Sequence, residues 1–321
     1  AMQPFKMMVG DMVNEKQKGL AYSIQSFLCN AGSLVGFLFP FIFTWIGISN
    51  IAPQGVVPDS VIYSFYIGAA ILILCVIYTT VKVKEMPPAE YAEYHGITEE
   101  EEKEKINMVK LLVKAPKAFW TVGLVQFFCW FAFMFMWTYT NGSVAANVFD
   151  APTVETVVNG VSKVMLDTKS IQYQDAADWV GVLFAVQAIG SVLWAVCIPL
   201  FKDRKLIYSL SLVLGGLGFI STYFVHNQYV LFISFLLIGC AWAAMLALPF
   251  TILTNALSGG HMGTYLGLFN GTICIPQIVA ASLGGSILAL FTPKGMLPPE
   301  INMLVMAGVM LIIGSVCVYL I

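Results

Sequence analysis

VLFISFLLIGCAWAAMLALPFTILTNAL, at positions 230–257, runs for 28 residues without a charged side chain. A helix needs about 20 predominantly apolar residues to cross a hydrocarbon core about 30 Å thick, so this stretch reads as a membrane span. Working outward, seven more stretches of the same kind fill the chain: 19–46, 61–81, 119–139, 179–201, 206–225, 265–291 and 303–321. Eight such runs in 321 residues do not fit a soluble core. The expected fold class is all-α, a polytopic membrane protein.

Composition agrees. Apolar residues make up 59% and charged residues 11%, against soluble norms of roughly 45–50% and 25%. A net charge of −2 gives no basic surface for nucleic acid. The seven cysteines all fall inside the apolar runs, without CxxC or Cys/His metal spacing, and read as small buried hydrophobes. No span carries a His/Asp/Glu cluster or a nucleophile–base pair, so the sequence points to neither an enzyme nor a cofactor.

The loops fix an orientation. Assigning them alternately to two sides puts thirteen of the sixteen Lys and Arg on one side and only Lys163, Lys169 and Lys294 on the other. By the positive-inside rule the first group is cytoplasmic, and both chain ends lie there. Trp179, Tyr139 and Tyr229 fall where an outer aromatic belt would lie. The longest cytoplasmic loop, 82–117, carries Pro87-Pro88 and a glutamate run at 99–102, read as a solvated linker. Its second half, 108–113 with flanking lysines, reads as an amphipathic surface helix. The outer loop 141–178 is rich in β-branched and acidic residues and reads as a lid or a tether.

Polar and aromatic residues recur at helical spacing. Tyr22, Gln25, Ser26, Cys29 and Ser33 share one face, as do Gln126, Trp130, Phe133 and Trp137; Gln187, Ser191 and Trp194; and Asn270 with Gln277 across Pro276. In membrane helices such groups often bond only a neighbouring helix. Packing is the reading for Ser191, Thr251 and the ridge Gly263, Gly267, Gly271; for the first face the two roles stand even, and Trp242 is left between cavity and packing.

Two stretches carry a resemblance. One is QPFKMMVGDMV at 3–13 followed by QKGLAYSIQS at 17–26. The other is AWA at 241–243, LPF at 248–250, MGTYLGLFN at 262–270 and IPQIVAA at 275–281. Together with FFCWFAFMFMW at 127–137, they resemble the sucrose-transporter and proton-associated sugar-transporter branch of the major facilitator superfamily, close to the glycoside–pentoside–hexuronide cation symporters. The resemblance covers all but the 141–178 loop and makes the eight spans helices 5–12 of an expected twelve, with helices 1–4 upstream of Ala1. It divides the chain into 1–84, the end of the N-terminal half; 85–117, the linker; and 118–321, a six-helix C-terminal half. Lys6 stands where that family usually shows Arg, which keeps the charge but loses the bidentate fork.

The resemblance implies a transporter of an α-linked disaccharide of the sucrose or maltose type, driven by proton symport and working as a monomer in a bacterial inner membrane. The family's coupling carboxylate lies in helix 4, so this chain shows no group for the coupling cation. A sugar offers an apolar ring face and a hydroxyl edge, which aromatic planes and amides together can hold. The expected substrate residues are Gln25, Gln126, Trp130, Trp137, Gln187, Trp194, Asn270 and Gln277. Lys6, Asp11, Asp203 and Arg204 are the expected inner gate. The alternatives are another glycoside, an uncoupled facilitator, or a membrane sugar sensor without transport.

Overall fold

The structure, a computed structural model, describes residues 8–9, 12–13, 15–48, 57, 59–84, 87, 90, 108–158, 161–257, 262–293 and 295–321. Its long helices are α1 (Glu15–Trp45), α2 (Asp59–Lys82), α4 (Lys117–Asn147), α5 (Ile171–Cys197), α6 (Arg204–Ser221), α7 (Leu231–Ala256), α9 (Gly271–Phe291) and α10 (Ile301–Cys317). Two short ones, α3 (Met108–Val113) and α8 (Met262–Phe269), lie between them. Seven spans among the described residues are long and apolar enough to cross a membrane, α8 and α9 counting as one. The eighth expected stretch folds as α1, 31 residues that carry the first polar face and stand outside those seven.

Where the elements depart from the sequence reading, local chemistry accounts for it. α5 starts eight residues before the apolar run, because Ser170 caps it by accepting the Tyr173 N–H at 3.3 Å. Asp175 and Asp178 are thereby carried on the helix itself, past its first turn. The run 265–291 is broken at Asn270, whose N–H is shared between the Leu266 and Gly267 carbonyls at 3.2 Å each. The loop 141–178 holds an antiparallel hairpin, Thr153–Val158 with Val161–Leu166, in the register Thr153↔Leu166 to Val158↔Val161. The surface helix expected at 108–113 is α3, and its Leu111 carbonyl accepts the Tyr265 hydroxyl at 3.2 Å. The glutamate run at 99–102 lies outside the described residues.

α7 is the hub. It packs against α1, α4, α5 and α6, while α10 seals α4 against α6 and α9 lies along α4. Small residues permit these approaches. A Cβ on Gly190 would meet the Leu236 carbonyl at 2.5 Å, and one on Gly239 would press on the Gln187 carbonyl. Gly218 faces the Ser234 carbonyl in the same way, at 2.6 Å. The expected ridge on α8 and α9 does not do this. Among the described residues nothing lies within 4 Å of a Cβ on Gly267, and one on Gly271 meets only Ile275 of its own helix. α2 packs on α1 and leaves nearly all its apolar surface uncovered, as a helix facing lipid or further helices would.

Candidate substrate-binding site

The site begins with a proline. Pro249 lies inside α7 and has no N–H, so the Met245 carbonyl one turn earlier loses its helical donor. Gln126 of α4 takes that place, its Nε2 donating to the Met245 oxygen at 2.9 Å inside the core. α4 and α7 are thereby tied at one depth, and the rest of the α4 stripe is laid against the same part of α7.

One turn along the stripe, Trp130 meets Trp242 edge to face, ring centroids 5.8 Å apart. Trp137 meets Trp242 at 5.6 Å and Phe133 meets it at 4.8 Å. The three tryptophans thus form a cluster with Trp242 at its centre. Trp130 is buried, whereas Trp137 is 43% exposed, so the cluster has an inner and an open end. α1 reaches the same turn of α7, its Ser26 hydroxyl donating to the Ala243 carbonyl at 3.4 Å. Beside Ser26 stand Gln25 and Asn30, both buried, with the Asn30 amide donating to the Ser26 carbonyl at 2.7 Å.

Among the described residues, three buried polar atoms in this region have no hydrogen-bond partner: Trp130 Nε1, Gln126 Oε1 and Asn30 Oδ1. A buried polar atom left unpaired costs roughly 1–3 kcal/mol. Trp130 Nε1 belongs to the aromatic cluster and Gln126 Oε1 lies one turn from it on α4, a donor and an acceptor of the kind a hydroxylated ring would satisfy.

The remaining expected residues are placed elsewhere. Trp194 donates its Nε1–H to the Ser211 hydroxyl at 2.8 Å, and Ser211 in turn donates to the Ile207 carbonyl at 2.6 Å. It is a tie between α5 and α6. Gln187 is buried at the α5–α7 crossing, where its backbone lies over Gly239. On α9, Thr272 faces Gly123 and Gly284 faces Tyr139, which sets the half-buried Gln277 between these two contacts with α4. Asn270 sits at the α8–α9 break with its amide 3.6 Å from Cys274 Sγ. Asn30 was missed because it lies one position off the α1 stripe.

At the lysine-rich end Asp203 caps α6, accepting the Lys205 and Leu206 N–H groups at 2.9 and 3.1 Å. Arg204 reaches over Gly19 of α1, and together with Lys16, Lys202, Ser23 and Thr251 it lines a cleft of about 320 Å³. Lys6 and Asp11 lie outside the described residues.

The profile of the Major Facilitator Superfamily matches residues 2–165, the portion that carries α1 to α4. The chain belongs to the major facilitator superfamily. No curated protein matches it. As a member of this superfamily it is a multi-pass secondary transporter, working on a small molecule within a lipid bilayer.

The Gln126–Met245 bond can be tested without a substrate. Gln126→Leu strands the Met245 carbonyl, and the expected loss is about 1–3 kcal/mol. Adding Pro249→Ala restores an N–H to that carbonyl, so the double variant is expected to regain stability. Thermal unfolding of the purified, substrate-free protein reads both; additive losses would refute the assignment.

Proposed function

We propose that this transporter carries a sugar, an α-linked disaccharide of the sucrose or maltose type, by proton symport with alternating access. The observation that carries the reading is the Trp130–Trp137–Trp242 cluster with its unpartnered indole N–H and amide oxygens. Aromatic faces suit the apolar side of a pyranose, and the orphan atoms suit its hydroxyls. The resemblance of 127–137, 241–250 and 262–281 to the sucrose-transporter branch supports the same class. Gln25, Asn30 and Gln126 would hold hydroxyls, while Asn270 at the α8–α9 break and Gln277 on α9 stand apart from the cluster and would meet only a ligand that extends toward α9.

In this reading 118–321 is one six-helix half, 1–84 belongs to the other, and 85–117 joins them. α1 docks on α5 and α7, which is where two rocking halves would meet. The lysine-rich side is cytoplasmic, and the membrane is a bacterial inner membrane. The test is uptake of labelled sucrose and maltose into proteoliposomes with an inward proton gradient. Saturable uptake that a protonophore abolishes is expected; uptake of neither sugar counts against the reading.

The inner gate follows from the charges at the lysine-rich end. Lys6 and Asp11 would pair with Asp203 and Arg204 in one state and part in the other. Exposed pairs are worth only about 0–1 kcal/mol, which still rebalances two states of similar energy. Asp11→Asn and Arg204→Gln are each expected to slow transport and alter labelling of cysteines placed at this end, with sugar affinity held within a few-fold. Unchanged rate and labelling would leave these charges as topology signals alone.

A further inference from the structure

At the end of the molecule opposite Arg204, a carboxylate is packed where none of its neighbours needs one. Glu300 follows Pro298 and Pro299 and immediately precedes α10. Its side chain lies in a notch on α4 at Gly142, so close that a Cβ there would collide with Oε2 and with Oε1 at 2.8 Å. Only glycine leaves this room. Tyr139, three residues earlier on α4, borders the notch and is the titratable group that faces Glu300 from that helix. Among the described residues burial alone acts on the carboxyl, with no further charged group and no hydrogen-bond donor beside it. Lys294 lies outside the described residues.

A half-buried carboxylate without a cation or a donor beside it costs more when charged than when protonated. We propose that Glu300 is a proton-binding site that clasps the ends of α4 and α10. Protonated, it seats in the Gly142 notch and holds the helix ends together. Deprotonated, it leaves the notch for water and frees them. The proton comes from and returns to the solvent on the lysine-poor side. The site supplies a proton-binding group for the coupling proposed above, and rests on that reading only for the use made of the proton.

Burial pushes the Glu300 carboxyl up from 4.5 to about 7. The sign is that of a group whose packed state holds its proton more tightly than the free state. The clasp is therefore at full strength below about pH 4.5, weakens as pH rises, and has lost this contribution above about pH 7.

The test is infrared difference spectroscopy of the purified full chain in bilayers, stepped through pH without sugar. A protonated-carboxyl C=O band titrating near pH 7 is expected in the wild type and missing in Glu300→Gln. Gly142→Ala should push the carboxyl into water and return its titration to the ordinary carboxylate range. Amide exchange at 141–147, corrected for intrinsic pH dependence, should rise with pH in the wild type and stay flat in Glu300→Gln. A wild type with no carboxyl titrating near neutrality, or a near-neutral band that survives in Glu300→Gln, overturns the proposal. Because no sugar is present, either result leaves the disaccharide reading to its own test.

Discussion

Trp242→Ala and Trp130→Ala are each expected to weaken disaccharide binding tenfold or more, with Gln277→Ala doing less. The difference follows from what each side chain contributes. A tryptophan offers a broad face that both buries area and fixes the plane of a sugar ring. Tenfold corresponds to about 1.4 kcal/mol, within reach of one lost stacking face. A single neutral hydrogen bond is worth about 0.5–1.5 kcal/mol. Trp242 has the larger expected effect because it touches Trp130, Phe133 and Trp137 together, so its loss disorders the cluster as well as removing a face. The measurement is equilibrium binding on monodisperse protein, since a tryptophan lost from packing also lowers yield. Wild-type affinity in both variants would make the cluster a packing element.

The largest expected effect on folding belongs to the α5–α7 crossing. Gly190→Leu and Gly239→Leu are each expected to abolish recovery of monodisperse protein. Ordinary overpacking costs about 1–3 kcal/mol because side chains shift. Here the obstacle is main chain on both sides: the Leu236 carbonyl faces Gly190, and the Gln187 carbonyl and Ser191 nitrogen face Gly239. Backbone cannot move aside without separating the helices, and the Ser191 bond to the Gly239 carbonyl at 2.8 Å is lost with it. Gly285→Leu is the control, since nothing lies within 4 Å of its Cβ among the described residues. Size-exclusion profiles of the three variants in detergent check this. A monodisperse Gly239→Leu protein would show that the crossing is looser than described.

These positions also show what a sequence can and cannot reveal. The spans were legible because crossing a bilayer demands length and apolarity, both readable without neighbours. The stripe Gln126, Trp130, Phe133, Trp137 was legible as a face, because helical spacing fixes which side chains share one. What that face meets was not. The pattern of α4 says nothing of Pro249, more than a hundred residues on, yet Pro249 is what assigns Gln126 its bond to Met245. Trp194 shared a stripe with Gln187 and is spent on Ser211.

The small-residue ridge at Gly263, Gly267 and Gly271 had the spacing of a packing surface, but the close approaches were taken by Gly190, Gly218 and Gly239. The hairpin was missed although Asn159-Gly160 between two β-branched runs is a strong local signal. The reading of that loop as a lid or a tether rests on its length and acidity, which say nothing of strand pairing. The position of Glu300 at a span edge carries no mark in the sequence of the glycine notch 158 positions earlier in the chain.

The central claim is that the tryptophan cluster holds a disaccharide, and the most direct measurement is equilibrium dialysis of labelled sucrose and maltose against the purified full chain and its Trp130→Ala variant. Saturable binding of at least one sugar is expected, displaced by the unlabelled compound and lost or weakened at least tenfold in Trp130→Ala, a change of about 1.4 kcal/mol. Absence of saturable binding of both sugars to folded wild-type protein, or binding that Trp130→Ala leaves intact, would contradict it.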